Sequence, residues 1–92
     1  MKRESLIKPP DSKTLKSGKV ILSPGEDIGE HITDKREEII FVIKGNATLI
    51  KEGEQIQLKT GEIHYIKPET LHNIKNNSDE ELEYIYVVSL FK

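Results

Sequence analysis

The sequence predicts an all-β domain. From Lys19 onward, short apolar runs alternate with turn signals, the cadence of strands joined by tight connections. The longest central run, Ile39-Ile40-Phe41-Val42-Ile43, is β-branched or aromatic at every position and only five residues long, which favours a strand. A helix over DKREEIIFVIK is the competing reading, because Asp34 and Glu37 have the spacing of a capping box. The composition of the run argues against it.

The elements follow in order. Residues 1–17 read as an N-terminal arm: Pro9 and Pro10 interrupt any ladder and Asp11, Ser12 and Lys13 form turns, although Leu6 and Ile7 could add an edge strand. Residues 18–92 read as one barrel domain. KVIL is bounded by Pro24-Gly25, EEIIFVI by Gly45-Asn46, ATLI by Glu52-Gly53, QIQL by Thr60-Gly61 and EIHYI by Lys67-Pro68, and ELEYIYVVSLF closes the series.

Parity assigns faces, since side chains two apart on a strand point the same way. Glu38, Ile40 and Val42 form one set and Ile39, Phe41 and Ile43 the other, so both faces of this strand are apolar and both need cover. One face belongs to a barrel interior. The other predicts either burial under the arm or a homodimer across a two-fold axis, and the short, charged, proline-broken arm favours the dimer.

A chain of 92 residues suits one domain with one core. Its 14 basic and 16 acidic side chains leave a net charge of −2, with no electrostatic footprint for nucleic acid or an anionic membrane. Cysteine is absent, which excludes disulfides, thiolate catalysis and cysteine-ligated metals, so any ion must be held by nitrogen and oxygen. No stretch has signal-peptide or transmembrane character, and a cytoplasmic protein is the expectation.

Polar residues with chemical potential gather around the central strand. His31 and Thr33 share a face, Glu38 opens the inward set, and His72 follows a second turn spanning residues 67–71. Imidazole nitrogen and carboxylate oxygen converging inside a barrel suit iron, manganese, nickel, zinc or copper rather than calcium. No phosphate-cradling loop is present.

These residues carry a resemblance. Gly25, five residues, His31, one residue, Thr33, four residues, Glu38, six residues and Gly45 resemble the first signature of the cupin family, which has histidine where Thr33 stands. Gly61, five residues, Lys67, then Glu69, His72, three residues and Asn76 resemble the second, where the family prefers proline at the Lys67 position and glycine at that of Glu69. The likeness spans about residues 18–90. It implies a double-stranded β-barrel of jelly-roll type, often dimeric, with a divalent metal commonly held by three histidines and a glutamate. Here His31, Glu38 and His72 match ligand positions and Thr33 does not. A threonine hydroxyl ligates poorly, so the departure either weakens the site or opens a coordination position.

Two functions follow. In one, His31, Glu38 and His72 hold a metal and the protein transforms a small-molecule substrate by oxygenase, isomerase or lyase chemistry. In the other, no metal is bound, the histidines become hydrogen-bonding groups, and the barrel is a binding or sensing module for a sugar or metabolite. Among neighbouring residues, His64 reads as structural unless it turns inward to replace the missing ligand. Glu37 becomes the carboxylate ligand only if the register slips by one. Lys35 and Arg36 could attract an anion to a barrel mouth, and Tyr65, Tyr84 and Tyr86 read chiefly as packing groups with a phenol to donate.

Overall fold

The computed structural model describes residues 1–91. Nine strands follow one another: β1 Lys2–Ile7, β2 Leu15–Leu22, β3 His31–Ile32, β4 Arg36–Lys44, β5 Asn46–Lys51, β6 Glu54–Lys59, β7 Ile63–Ile66, β8 Leu71–Lys75 and β9 Leu82–Leu90. The described residues contain no helix. The fold is the predicted all-β barrel of jelly-roll type, built from a five-stranded sheet ordered β1-β2-β9-β4-β7 facing a four-stranded sheet ordered β3-β8-β5-β6.

All strand pairs are antiparallel, and their register decides what meets inside. Val42 lies opposite Tyr84, which lies opposite Val20. Across the barrel Leu49 lies opposite Ile74 and Ala47 opposite Leu58. These side chains, with Leu22, Ile40, Ile66 and Leu82, form a single buried cluster between the sheets. Alternation along β4 is as parity requires: Glu38, Ile40 and Val42 are buried, while Ile39 and Phe41 are half-covered and Ile43 is exposed.

The turn between β4 and β5 shows why a motif glycine is needed. Gly45 has φ +84°, in the left-handed region, and a Cβ there would lie 2.5 Å from the Glu81 carbonyl oxygen. Both the backbone angle and the close approach exclude a side chain. The departure at Glu69 carries a cost of the same kind, because Glu69 takes a φ of 59° that glycine would adopt more cheaply. Its N–H donates to the Thr33 carbonyl at 2.8 Å and its carboxylate accepts from the Lys35 N–H at 3.2 Å. The bond to the carboxylate, which glycine could not make, offsets part of the cost.

The N-terminal segment extends the larger sheet. β1 pairs with β2 from Lys2 opposite Ile21 to Ile7 opposite Ser17, so Leu6 and Ile7 do add an edge strand. With β1 at the sheet edge, the outer-face side chains of β4 and β9, Ile39, Phe41, Ile85 and Val87, stay only half-covered.

Candidate metal centre

His31 and His72 reach one another through a two-residue strand. β3 pairs with β8 so that the two histidines are direct cross-strand partners, and their ring centroids lie 4.1 Å apart at an interplanar angle of 60°. Glu38 enters from the opposite sheet, where β4 turns it inward beside Ile40. One ligand-type atom from each of His31, Glu38 and His72 lies within 4.8 Å of the other two. Thus the three positions chosen from the sequence converge. His72 and Glu38 are buried, at 1% and 8% exposure, whereas His31 is open to solvent.

Hydrogen bonds to the backbone orient both rings. His72 Nδ1 lies 3.0 Å from the Thr70 carbonyl oxygen and His31 Nδ1 lies 3.1 Å from that of Gly29. With a proton on each Nδ1, the carbonyls accept, and each Nε2 keeps its lone pair for the space between the rings. Outer-shell bonding of this type is the usual way a protein prepares histidines for a metal. His72 Nε2 is, moreover, a buried nitrogen without a hydrogen-bond partner among the described residues. Its nearest acidic neighbour is Glu38 Oε1 at 3.3 Å. An unpartnered buried nitrogen is costly, and a bound cation would relieve it. The residues present therefore fit a divalent ion.

In the absence of an ion, His72 responds to its surroundings in two directions. Burial disfavours its imidazolium, but the Glu38 carboxylate and the Thr70 carbonyl outweigh burial, and its pKa lies above the ordinary histidine value.

Thr33 answers for the missing histidine. Its side chain is buried, and its hydroxyl donates to the Lys67 carbonyl at 2.8 Å while accepting from the Thr70 N–H at 3.0 Å. It thereby ties the start of β4 to the loop before β8, which carries His72. The family's ligand position has become a structural bridge. Asn76 is likewise structural: its Nδ2 donates to the Leu22 and Glu80 carbonyls at 2.9 and 2.7 Å.

The remaining sequence candidates fall outside the triad. His64 Nε2 lies 3.0 Å from Lys51 Nζ, and burial together with Lys51 lowers its pKa, so the neutral ring accepts from the ammonium. Glu37 accepts from the Tyr65 hydroxyl at 2.9 Å on the other side of β4 from Glu38. Tyr84 and Tyr86, in contrast, line the cavity that opens beside His31 and Glu38, together with Arg36 and Thr33. This cavity measures about 350 Å³, at the lower end of the range for small-molecule sites. Burial, then the Glu38 carboxylate, raises the Tyr84 phenol above its ordinary value, so it stays protonated. Tyr86 packs against Gly18, where an added Cβ would sit 2.5 Å from the phenol oxygen.

The cupin domain family model matches residues 18–88. This chain belongs to the cupin domain family. The cupin barrel is also found in the cupin domain of Cnp3 from Schizosaccharomyces pombe, with a TM-score of 0.87 at 15% identity, covering 96% of this chain and 63% of that one. Among curated proteins, this cupin is 31% identical over 72 residues to the polyketide synthase CurC of Streptomyces cyaneus, covering 78% of this chain and 47% of that protein. It is 26% identical over 69 residues to an oxalate-binding protein of Thermotoga maritima, covering 75% and 57% respectively. The chain thus spans about half the length of the curated relatives it matches.

Proposed function

We propose that this cupin binds one divalent transition metal through His31, Glu38 and His72, and acts on a small molecule held in the adjoining cavity. The observation that carries this reading is the convergence of His31, Glu38 and His72, whose ligand-type atoms all lie within 4.8 Å of one another. Two imidazoles and one carboxylate suit iron, manganese, nickel, zinc or copper. A bound ion of this kind would act as a Lewis acid on a ligand oxygen. The protein's own residues do the rest: the Thr70 and Gly29 carbonyls hold the rings, Thr33 fixes the loop, and Tyr84 offers a protonated phenol. Oxygenase, isomerase or lyase chemistry fits such a site. The names of the CurC and oxalate-binding relatives support a small-molecule ligand.

Metal analysis tests the reading. Reconstitution with each of the five metals followed by desalting should leave about one ion per chain, abolished by His72→Ala. Retention below about a tenth of an ion per chain for all five overturns it. The 3.3 Å approach of His72 to Glu38 favours the second reading, a metal-free binding module, because a protonated His72 could neutralise the carboxylate unaided.

The same reading takes residues 1–17 as an arm on an 18–92 barrel, in a cytoplasmic homodimer. The outer face of the larger sheet supports the dimer: Ile39 lies opposite Tyr65 and Phe41 opposite Ile63, and Tyr65 and Ile63 are 50% and 63% exposed. Covering such side chains contributes about 1.5 to 3 kcal/mol each before association entropy is subtracted.

A further inference from the structure

Cations gather at the mouth of the cavity in a way that neither the metal triad nor the core requires. Arg3, Lys16 and Arg36 all line the space beside His31, and with Glu30 and Glu38 as the two carboxylates of the same lining they leave it a net positive charge of one. Strand register brings them there. Arg3 on β1 lies opposite Val20, Lys16 on β2 lies opposite Val88, and Arg36 precedes Glu38 by two residues on β4. Val20 and Val88 face inward and are buried, so all three cations occupy the inner face of the larger sheet.

The ion pairs of the described residues are Met1 with Glu26, Lys19 with Glu83, Lys44 with Glu81 and His72 with Glu38, and none involves these three cations. Arg36 Nε donates to the Asp34 carbonyl at 3.1 Å, which steadies the guanidinium and is its one hydrogen bond among the described residues. Like charges on one concave surface repel one another, and a chain with net charge −2 has no general excess of base to place there. An inward charge can guard a sheet edge against aggregation. That accounts for Arg3 on the edge strand, but not for Lys16 and Arg36, because β2 and β4 are interior strands. Cations lining a concave, partly apolar cleft focus a field that attracts an anion.

We propose that the cavity takes a small organic anion whose carboxylate lies against Arg3, Lys16 and Arg36, with its other end toward His31 and Glu38. Planar guanidinium forks from two strands match a carboxylate's two oxygens, and Lys16 adds a point charge. Tyr84 and Tyr86 supply phenol donors to the same space. Arg3 and Lys16 precede the family match at residues 18–88, so the charge preference comes largely from this chain's own N-terminal segment. The proposal rests on the reading of the cavity as the ligand site, and names the ligand's class.

The test titrates glutarate and its neutral diamide, glutaramide, into the full chain by calorimetry, in metal-free and zinc-loaded forms. Glutarate should bind about tenfold or more tightly than glutaramide in both forms, and the gap should narrow as salt rises from about 0.01 to about 0.5 M. Arg3→Gln, Lys16→Gln and Arg36→Gln should each reduce the preference, and the triple variant should erase it with an unchanged circular dichroism spectrum. Equal binding of the two probes by the wild-type chain overturns the proposal, as does a folded triple variant that keeps the preference. A preference confined to the zinc-loaded form assigns the carboxylate to the ion and also overturns it. The comparison of probes on the wild-type chain needs no variant, so misfolding of a variant does not blunt the test. Zinc uptake without a preference defeats this proposal alone; a preference in a chain that retains none of the five metals defeats the metal reading alone.

Discussion

The two ends of the barrel interior are built from the same strands to opposite purposes. Toward one end β4, β9 and β8 contribute Val42, Leu82 and Ile74, all fully or nearly fully buried, with no polar group among them. Toward the other they contribute Arg36, Glu38, Tyr86 and His72, and the adjoining cavity replaces close packing. Stability and chemistry are thus separated lengthwise along each strand, by a few residues of register. A strand can carry a reactive side chain at one end because its other end is held by apolar burial.

The sharpest way to break this division is to cut into the packed end. Leu49 is fully buried, and Leu49→Ala should cost about 2 to 5 kcal/mol in urea denaturation. Its effect on metal stoichiometry at temperatures where the variant is folded should be nil. A variant that stays as stable as wild type would place the core elsewhere. Next in size, Thr33→Val removes a hydroxyl that bridges Lys67 and Thr70 and leaves the Thr70 N–H without a side-chain acceptor. A loss of about 1 to 3 kcal/mol should follow, again without loss of bound metal. Metal loss at full stability would make Thr33 a ligand.

Acid titration sharpens the comparison at the polar end. The folded pKa of His72 lies above its unfolded value, so in the metal-free protein its contribution is fully present below the unfolded value, about 6.5. That contribution disappears as pH rises through the folded value. Measured as the stability gap between wild type and His72→Gln, it should therefore shrink from acid to alkaline pH. With zinc bound the trend should reverse, because the ion competes with the proton for Nε2. A gap in the metal-free protein that widens with pH would contradict the pairing with Glu38. Smallest of all, Lys44→Ala breaks an exposed 3.5 Å ion pair with Glu81, remote from both regions, and should change stability by less than about 1 kcal/mol.

Much of this division was legible in the sequence, for reasons that are local. The alternation in EEIIFVI assigned Glu38, Ile40 and Val42 to the inside, because a period of two is a property of the strand itself. The resemblance to the cupin motifs singled out His31, Glu38 and His72, and the structure brings them together. β8 was not legible as a strand: LHNIK offers only Ile74 as an inward apolar residue, since His72 occupies the other inward position. Nor did the sequence reveal the fate of Thr33, whose partners lie 34 and 37 residues away. Arg3 and Lys16 read as arm charges because their inward direction depends on the pairing of β1 with β2 and of β2 with β9. Long-range register carries that information, and no window of sequence contains it.

Phe41→Glu addresses the outer surface that the interior comparison leaves aside. The variant should sediment as a monomer or unfold, whereas the wild-type chain should sediment as a dimer at micromolar concentration. A monomeric wild type would end the proposal for the dimer.

The contact between Gly18 and Tyr86 has a consequence for how such a barrel changes its diet. Any side chain at position 18 would meet the phenol oxygen at 2.5 Å, so the ring, which lines the cavity, would have to shift. One methyl group would therefore be converted into the displacement of a whole aromatic ring. A substitution at position 18 would thus reshape the cavity from behind its wall, through Tyr86 alone, while leaving every other lining residue as it is.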